Sequence, residues 1–186
     1  MKDKIVNTVQ KQLLELTNYK FSKKYIISYI IPILDYIVFS NKKKFIISGS
    51  QGIGKSTLLY ILEKNIKLYY NKNVLTLSLD DYYFNKNKRK QLSKNIHPLL
   101  FTRGVPGTHD VKNLLKTVKS FDNSSKNYIL PVFDKIKDDV LNKTKKIILD
   151  ADILILEGWC CGSPPLLKKY LQKNINILEK KMDKKM

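Results

Sequence analysis

The stretch that decides the fold is GSQGIGKST at residues 49–57. It satisfies the phosphate-binding P-loop pattern G-x-x-x-x-G-K-[ST] through Gly49, Gly54, Lys55 and Ser56. Its glycines let successive backbone N–H groups converge on phosphate oxygens, and a helix that follows adds the positive end of its dipole. A chance glycine-rich turn is the alternative, but it would need neither a strand before the motif nor a helix after it.

Both flanks of the motif have the required pattern. The apolar run 45–47 predicts a short parallel strand buried on both faces, and residues 56–68 predict a helix with one apolar face. Two more strands, a further helix and an extended segment are predicted at 74–79, 153–156, 111–121 and 128–133. Strands that alternate with helices indicate an α/β fold, here a three-layer domain around a mostly parallel sheet.

The first 42 residues are predicted to form two helices, joined near residues 18–22 and packed on a P-loop domain that comprises residues 43–186. Apolar residues recur there at helical spacing, namely Ile5, Val9, Leu13 and Leu16. The apolar stretch 25–39 is short for a membrane span and contains a proline and an aspartate. We therefore expect a helix packed on the domain and no contact with a membrane.

Charge and composition limit the classes of partner. The chain has 186 residues, 43% of them hydrophobic, which fits one globular domain with a core. Its net charge of +19 would attract nucleic acids without specificity. Only two of the 35 basic residues are arginine, Arg89 and Arg103, and the lysines are scattered, so specific nucleic-acid binding is not expected. The lysine-rich run 86–90 is interpreted as a solvated loop.

The cysteines indicate a reducing compartment. Cys160 and Cys161 are the only two, they are sequence neighbours, and no metal-ligand spacing accompanies them. This arrangement excludes a disulfide framework. The N-terminus lacks the layout of a signal peptide. We expect a soluble, cytoplasmic protein, and a homo-oligomer stays open.

Three acids at two predicted strand ends bear on the chemistry. Asp80 and Asp81 follow one strand, and Glu157 ends another. Ligands of open parallel sheets bind where the strands reach their carboxyl ends, so these acids are expected beside the P-loop. There one carboxylate can serve Mg²⁺ while another accepts the proton of an attacking hydroxyl. A single acid at a strand end is as often only a turn cap, but three of them favour phosphoryl transfer.

ATP and Mg²⁺ are the expected cofactors. Lys55 would neutralise the β- and γ-phosphates, and the Ser56 hydroxyl would join Glu157 in the Mg²⁺ shell. Lys55, Glu157 and Asp80 are the predicted catalytic residues. The predicted nucleotide-binding residues are Gly49, Ser50, Gln51, Gly52, Ile53, Gly54, Lys55, Ser56 and Thr57.

Four blocks beyond the P-loop resemble one group of kinases. They are DDYY at 80–83, HPLLFTRGVPGTHDV at 97–111, LPVFDKIKDD at 130–139 and LEGWCCGSPP at 156–165. The first resembles a signature of the uridine kinase, phosphoribulokinase and pantothenate kinase group. The other three resemble D-glycerate 3-kinase and its bacterial kinase-like relatives, in the same order. The resemblance implies transfer of the ATP γ-phosphate to a hydroxyl of a small acceptor such as glycerate.

The resemblance also implies roles for single residues. Asp80 would take the proton of the acceptor hydroxyl. The acceptor pocket would contain Asp81, Tyr83, Arg103, His109 and Asp110, although Asp110 is also a plausible helix N-cap. Arg103 suits a small carboxylate because its guanidinium binds bidentately, and its retention in a lysine-rich chain indicates a need for that fork.

Two charged pairs and a tryptophan leave alternatives open. Asp134 and Lys135 border the acceptor pocket or belong to a solvated charge run, and the pair at 138–139 is interpreted as such a run. Trp159 floors the site or has only a packing role.

Members of the resembled family continue past the position of Met186, with further strands and a basic lid. We therefore expect the strand at 45–47 to lie at the edge of an incomplete sheet. Residues 175–183 are predicted to begin a longer helix. A catalytically impaired nucleotide-binding or regulatory protein is accordingly the alternative to an active kinase.

Overall fold

The computed structural model describes residues 2–164 and residue 167. Its helices are α1 (Lys2–Thr17), α2 (Lys23–Tyr25), α3 (Ile31–Phe39), α4 (Lys55–Tyr70), α5 (Lys86–Asn95) and α6 (Val111–Asp122). Its strands are β1 (Lys44–Ser48), β2 (Val74–Ser78), β3 (Asn127–Leu130), β4 (Phe133–Asp134), β5 (Asp139–Val140), β6 (Lys145–Ile148) and β7 (Ile153–Gly158). The helix predicted to begin within residues 175–183 lies outside the described residues.

Two helical stretches precede β1, as predicted. The second runs from α2 to α3 through a π-helical segment, Ile26–Ile30. Pro32 lies two residues beyond the end of that segment. It has no N–H to donate and its ring crowds the preceding turn, so regular α-helical bonding cannot continue there. Three of the four predicted apolar residues of α1 are buried, whereas Leu16 is 46% exposed. No helix within the described residues is both long and apolar enough to cross a bilayer.

The central sheet is parallel, with strand order β1-β7-β2. Side chains alternate across β7, so that Ile153 and Ile155 belong to a core shared with α1, α3 and α4. Leu154 belongs to a second core, on the other face, together with residues of α6 and β3. This arrangement of helices, sheet and a further packed layer is the predicted three-layer α/β fold.

β1 lies at an edge of the described sheet. The prediction that its apolar run is buried on both faces was wrong, since its residues are half-buried or exposed and the Ile46 side chain is 55% exposed. The reason is topological: within residues 2–164, only β7 pairs with β1. The expectation of an edge strand is confirmed for the described part of the chain.

The lysine-rich segment after β2 is a helix, α5, where we predicted a solvated loop. Asn85 caps it by accepting a hydrogen bond from the Lys88 N–H at 2.8 Å. Its one buried side chain is that of Arg89. The prediction failed because this helix has no apolar stripe, and its packing depends on a buried guanidinium instead.

Two short antiparallel pairs complete the described fold. β3 pairs with β6, and β4 pairs with β5 to form a hairpin whose loop is 135–138. The Asp134 carboxylate accepts hydrogen bonds from the N–H groups of Ile136 and Lys137, at 2.9 and 3.1 Å, which fixes the loop. The extended conformation predicted within 128–133 is confirmed, whereas β6 was not predicted.

Candidate active site

A cavity of about 490 Å³ opens where β1, β2 and β7 end. The P-loop follows β1, and Asp80 follows β2 in the short 3₁₀ helix Leu79–Tyr82. Glu157 is near the end of β7. Residues from all three places line the cavity: Gln51, Gly52, Lys55, Ser56, Asp80 and Glu157. The parallel sheet therefore brings together residues that are more than a hundred positions apart in sequence, such as Gln51 and Glu157.

The P-loop is shaped by its glycines. Gly52 and Gly54 have φ of +78° and +94°, in the left-handed region that other residues rarely adopt. α4 begins directly after Gly54 without a side-chain cap, which leaves its first N–H groups for an anion. The Lys55 ammonium donates a hydrogen bond to the Ser50 carbonyl at 2.8 Å. Of the nine predicted nucleotide-binding residues, five belong to the same loop and helix start but do not line the cavity, namely Gly49, Ser50, Ile53, Gly54 and Thr57.

The two acids that line the cavity are held differently. Glu157 is buried, and its carboxylate accepts a hydrogen bond from the Ser78 hydroxyl at 2.5 Å. Asp80 is more exposed and accepts from the Tyr83 hydroxyl at 3.1 Å and from the Lys135 ammonium at 3.4 Å. Both carboxylates are thus fixed by neighbours, with Asp80 the more accessible of the two.

Asp81 points elsewhere. It lines a separate cavity beside β2, together with Lys145 and the segment after β3. Burial raises the pKa of its carboxyl, against a smaller opposite effect of Lys135. The structure does not bring this predicted acceptor-pocket residue to the P-loop cavity.

The segment that carries Arg103 is docked onto the end of β2 by backbone hydrogen bonds. The Phe84 N–H donates to the Thr108 carbonyl at 2.8 Å, and the Asp110 N–H donates to the Tyr82 carbonyl at 2.6 Å. The Asp110 side chain caps α6, as the N-cap pattern predicted, by accepting from the Asn113 N–H at 3.0 Å. Asp110 does not line the cavity.

His109 lies behind Tyr83, which itself lines the cavity. The two rings stack with centroids 4.2 Å apart, and the imidazole is buried. Burial lowers the pKa of His109, and its Nε2 has no hydrogen-bond partner among the described residues. Of the five predicted acceptor-pocket residues, Tyr83 and Arg103 therefore line the cavity, whereas Asp81, His109 and Asp110 do not.

Arg103 is held by the β4–β5 hairpin. Its Nη1 donates to the Lys135 carbonyl at 2.7 Å and to the Asp138 carboxylate at 3.1 Å. The interpretation of residues 138–139 as a solvated charge run was wrong for Asp138, which contacts both arginines of the chain. Lys135 lines the cavity, so the border position is the correct one of its two alternatives. The scarcity of arginine, noted for Arg103, was an equally good signal for Arg89.

The end of β7 is tied to the start of the P-loop. The Gly49 N–H donates to the Gly158 carbonyl and the Ser48 hydroxyl to the Trp159 carbonyl, both at 3.4 Å. Trp159 lines the cavity, and its indole N–H is buried with no partner in the described part of the chain.

The two cysteines that follow, Cys160 and Cys161, are free thiols. Burial, and to a smaller extent nearby negative charge, raises the pKa of Cys161 to about 11.

The chain is similar to several kinases, both in sequence and in structure. The probable ATP-dependent kinase TDA10 of Saccharomyces cerevisiae is 34% identical over 134 residues, which cover 65% of this chain and 46% of the yeast protein. The uncharacterized kinase mug58 of Schizosaccharomyces pombe is 35% identical over 130 residues, 64% of this chain and 47% of the relative. No protein-family model matches the chain.

Solved structures agree with the sequence relatives. D-glycerate 3-kinase from Cryptococcus neoformans superposes with a TM-score of 0.64 at 26% identity, over 80% of this chain and 56% of the fungal one. The chain is thus similar to P-loop kinases both in sequence and in fold. It spans about half the length of the curated relatives that it matches.

The residues that line the cavity fit ATP and Mg²⁺. The uncapped start of α4, the left-handed glycines and Lys55 form a cradle for phosphate. The Ser56 hydroxyl and the Glu157 carboxylate are oxygen donors of the kind that Mg²⁺ prefers, and both line the cavity. Within the described residues, no group of three or more His, Cys, Asp or Glu side chains is placed so that it could hold a metal ion. The remaining Mg²⁺ ligands would be phosphate oxygens and water.

Proposed function

We propose that this protein is a P-loop kinase, which transfers the γ-phosphate of ATP to a hydroxyl of a small carboxylate such as glycerate. One observation carries the proposal: the P-loop, Asp80 and Arg103 line a single cavity. A phosphate cradle, a proton acceptor and a carboxylate-binding fork are the three groups that such a reaction needs. The likeness to kinases, including a D-glycerate 3-kinase structure, supports it.

The phosphate side of the cavity would hold the nucleotide. Mg-ATP, when bound, supplies the phosphoryl group and much of the charge neutralisation. The N–H groups at the start of α4 and the Lys55 ammonium would hold its phosphates, while Ser56 and Glu157 would ligate Mg²⁺. The Ser78 hydroxyl orients Glu157 for that role.

Asp80 would act as the general base. The acceptor oxygen forms a bond to phosphorus, the bond from phosphorus to the leaving ADP oxygen breaks, and the hydroxyl proton passes to the Asp80 carboxylate. Tyr83 and Lys135 each hold one oxygen of that carboxylate. They fix its orientation, which is a condition for proton transfer over hydrogen-bond distance.

Arg103 would hold the carboxylate of the acceptor. Its position opposite the P-loop, in the same cavity as Asp80, would leave the acceptor hydroxyl between the base and the nucleotide. A charged pair of this kind favours acids over neutral alcohols, because a neutral acceptor leaves the guanidinium without its partner.

An acceptor panel tests the proposal. Purified protein is incubated with Mg-ATP and glycerate, pantothenate or uridine, and ADP release is followed. Glycerate or pantothenate, which carry a carboxylate, should stimulate release, whereas uridine should not. ATP binding without acceptor-dependent ADP release would overturn the kinase assignment.

Adjacent aspartates provide a matched pair of variants. Asp80→Asn removes the proposed base and should lower turnover by about 10²- to 10⁴-fold while ATP binding is retained. Asp81→Asn makes the same chemical change one residue away, at a side chain that lines a different cavity, and should leave turnover within about twofold. Equal losses in the two variants would contradict the role of Asp80.

A nucleotide-binding protein without turnover is the second candidate. It is favoured by the exposed edge strand β1, which directly precedes the P-loop and offers backbone groups to another strand. The acceptor panel separates the two candidates. The second predicts micromolar ATP binding together with ADP release that no acceptor stimulates.

A further inference from the structure

We infer that Asp138 and Arg89 are positioning residues that hold Arg103 ready for the carboxylate of the acceptor. The inference rests on the proposed function in one respect, namely that Arg103 binds that carboxylate. Its physical basis is a chain of contacts from the interior to the cavity wall, Arg89 to Asp138 to Arg103. Neither Arg89 nor Asp138 lines the cavity itself.

Arg89 is the fixed end of this chain. Its side chain is fully buried on α5 and donates from Nε to the Phe84 carbonyl at 3.1 Å and from Nη1 to the Phe101 carbonyl at 2.8 Å. Its Nη2 donates to the carbonyl and to the carboxylate of Asp138, at 2.5 and 3.0 Å. A buried guanidinium with this many partners has one orientation, since any rotation would leave N–H groups unpaired in the interior.

Asp138 connects the fixed Arg89 guanidinium to Arg103 at the cavity wall. One carboxylate oxygen accepts from Arg89 and the other from Arg103. The residue sits in the hairpin loop with φ of +55°, a conformation that aspartate and asparagine tolerate better than most residues. Since its two oxygens have different partners, the carboxylate cannot turn without breaking a charge-assisted bond.

Arg103 is left with one free edge. Both described bonds of its guanidinium are made by Nη1, to Asp138 and to the Lys135 carbonyl. Within the described residues, Nε and Nη2 have no hydrogen-bond partner, and together they form the edge that binds a carboxylate bidentately. The two guanidinium groups also lie 5.9 and 5.7 Å from the Phe133 ring centroid, which restricts them further.

Charge accounting supports a monoanionic acceptor. Two guanidinium groups share one carboxylate, so the three side chains together keep one net positive charge. That charge is balanced when one further carboxylate binds the free edge of Arg103. An ordered side chain also loses less rotamer entropy on binding than a free arginine would.

The test compares Asp138→Asn with Asp139→Asn. Asparagine keeps an oxygen acceptor and suits the positive φ of residue 138, but it removes the charge that holds Arg103. Asp139 is the matched control, because within the described residues its carboxylate accepts from the N–H groups of Lys86 and Val140 and from neither arginine. The probe is D-glycerate, titrated calorimetrically into protein saturated with Mg²⁺ and a non-hydrolysable ATP analogue.

We expect D138N to weaken glycerate binding by about tenfold or more and D139N to leave it within about twofold. The nucleotide affinity should be unchanged in both variants. In turnover assays the KM for glycerate should rise while kcat changes little. Arg103→Gln should weaken binding at least as much, and the double variant D138N/R103Q no more than R103Q alone, because Asp138 acts through Arg103.

Additive losses in that double variant, or unchanged glycerate binding in D138N, would overturn the inference. If the wild-type protein binds none of the carboxylates in the panel, the proposed function fails, and a separate measurement still decides the positioning. A held guanidinium predicts resolved Nη proton signals for Arg103 in NMR spectra, identified by their loss in R103Q. Averaged signals in the wild-type protein would show that Arg103 rotates freely and that Asp138 does not position it.

Discussion

The two sides of the cavity are built in different ways. The phosphate side consists of one continuous stretch, 49–57. In the proposed function, its backbone N–H groups, placed by the glycine conformations, would make most of the contacts to phosphate. The acceptor side consists of side chains from α5, the segment after it and the β4–β5 hairpin. Its order depends on the ion pair between the buried Arg89 and the half-buried Asp138. One side is local in sequence, and the other is assembled by the fold.

This difference matters for how each side responds to change. A backbone cradle depends on a few conformations and on Lys55, so a change there removes phosphate binding directly. A side-chain network has several supports, and removing one of them alters affinity for the acceptor without touching the nucleotide. Variants on the two sides should therefore separate into two phenotypes.

The largest effect is expected from Lys55→Met on the phosphate side. Loss of the ammonium that neutralises the phosphates should lower kcat/KM for ATP by at least about 10²-fold. Steady-state ADP release at several ATP concentrations measures it. Lys64→Met, on an exposed lysine of the same helix, is the control and should retain turnover. A loss confined to the KM for the acceptor would mean that the two sides are not separate.

The next effect concerns Gly158, where the two sides meet. A Cβ at this position would lie 2.5 Å from the Cys161 sulfur and 2.8 Å from the Leu79 Cβ, so Gly158→Ala should lower the free energy of unfolding by about 3 kcal/mol. Gly52→Ala meets no atom within 4 Å and pays only for its positive φ, about 1 kcal/mol. Urea denaturation of both variants gives the ranking, and a reversed order would contradict the crowding.

A smaller, pH-dependent effect is expected from His109 on the acceptor side. Burial lowers its pKa, so the unfolded chain takes up the proton first as the pH falls. The stability contribution is therefore present above about pH 6.5 and declines below it, by at most about 1.4 kcal/mol per pH unit.

Urea denaturation of the wild-type protein and His109→Gln between pH 8 and pH 5 measures this effect. The stability difference between the two should shift in favour of the variant as the pH falls. His97→Gln, which changes the exposed histidine and leaves the buried stack intact, is the control. A difference that stays constant across the range would mean that His109 takes up its proton as readily in the folded protein as in the unfolded chain.

The smallest effect is chemical and leaves stability unchanged. With a pKa of about 11, Cys161 is almost wholly protonated at pH 8, and its alkylation by iodoacetamide should be at least about tenfold slower than that of free cysteine. Cys160→Ser leaves Cys161 as the only thiol for this measurement. Alkylation as fast as that of free cysteine would indicate that the end of β7 opens.

Sequence patterns predicted what depends on local conformation. The P-loop, the strand ends that carry Asp80 and Glu157, and the N-cap of α6 at Asp110 each follow from a few neighbouring residues. The type and spacing of these residues are enough to predict their chemistry. The resemblance added Arg103, which lines the cavity.

The rest depends on contacts between distant segments. α5 was missed because it has no apolar stripe, and its partner Asp138 is 49 residues from Arg89. β1 has the composition of a buried strand, and its exposure is decided by which strands pair beside it. Asp81 and Asp80 look alike in sequence, yet the 3₁₀ turn directs them to different cavities. These three features cannot be predicted from a local sequence pattern, because each depends on contacts with distant residues.

The β4–β5 hairpin gives the cavity a shared hinge. Its loop supplies the ammonium that touches Asp80, the carbonyl that touches Arg103 and the carboxylate that joins the two arginines. A displacement of these four loop residues would release the base and the carboxylate-binding fork in one movement, while the P-loop stayed intact. In the proposed mechanism, such a displacement would therefore couple release of the acceptor to loss of the base's orientation, independently of the nucleotide.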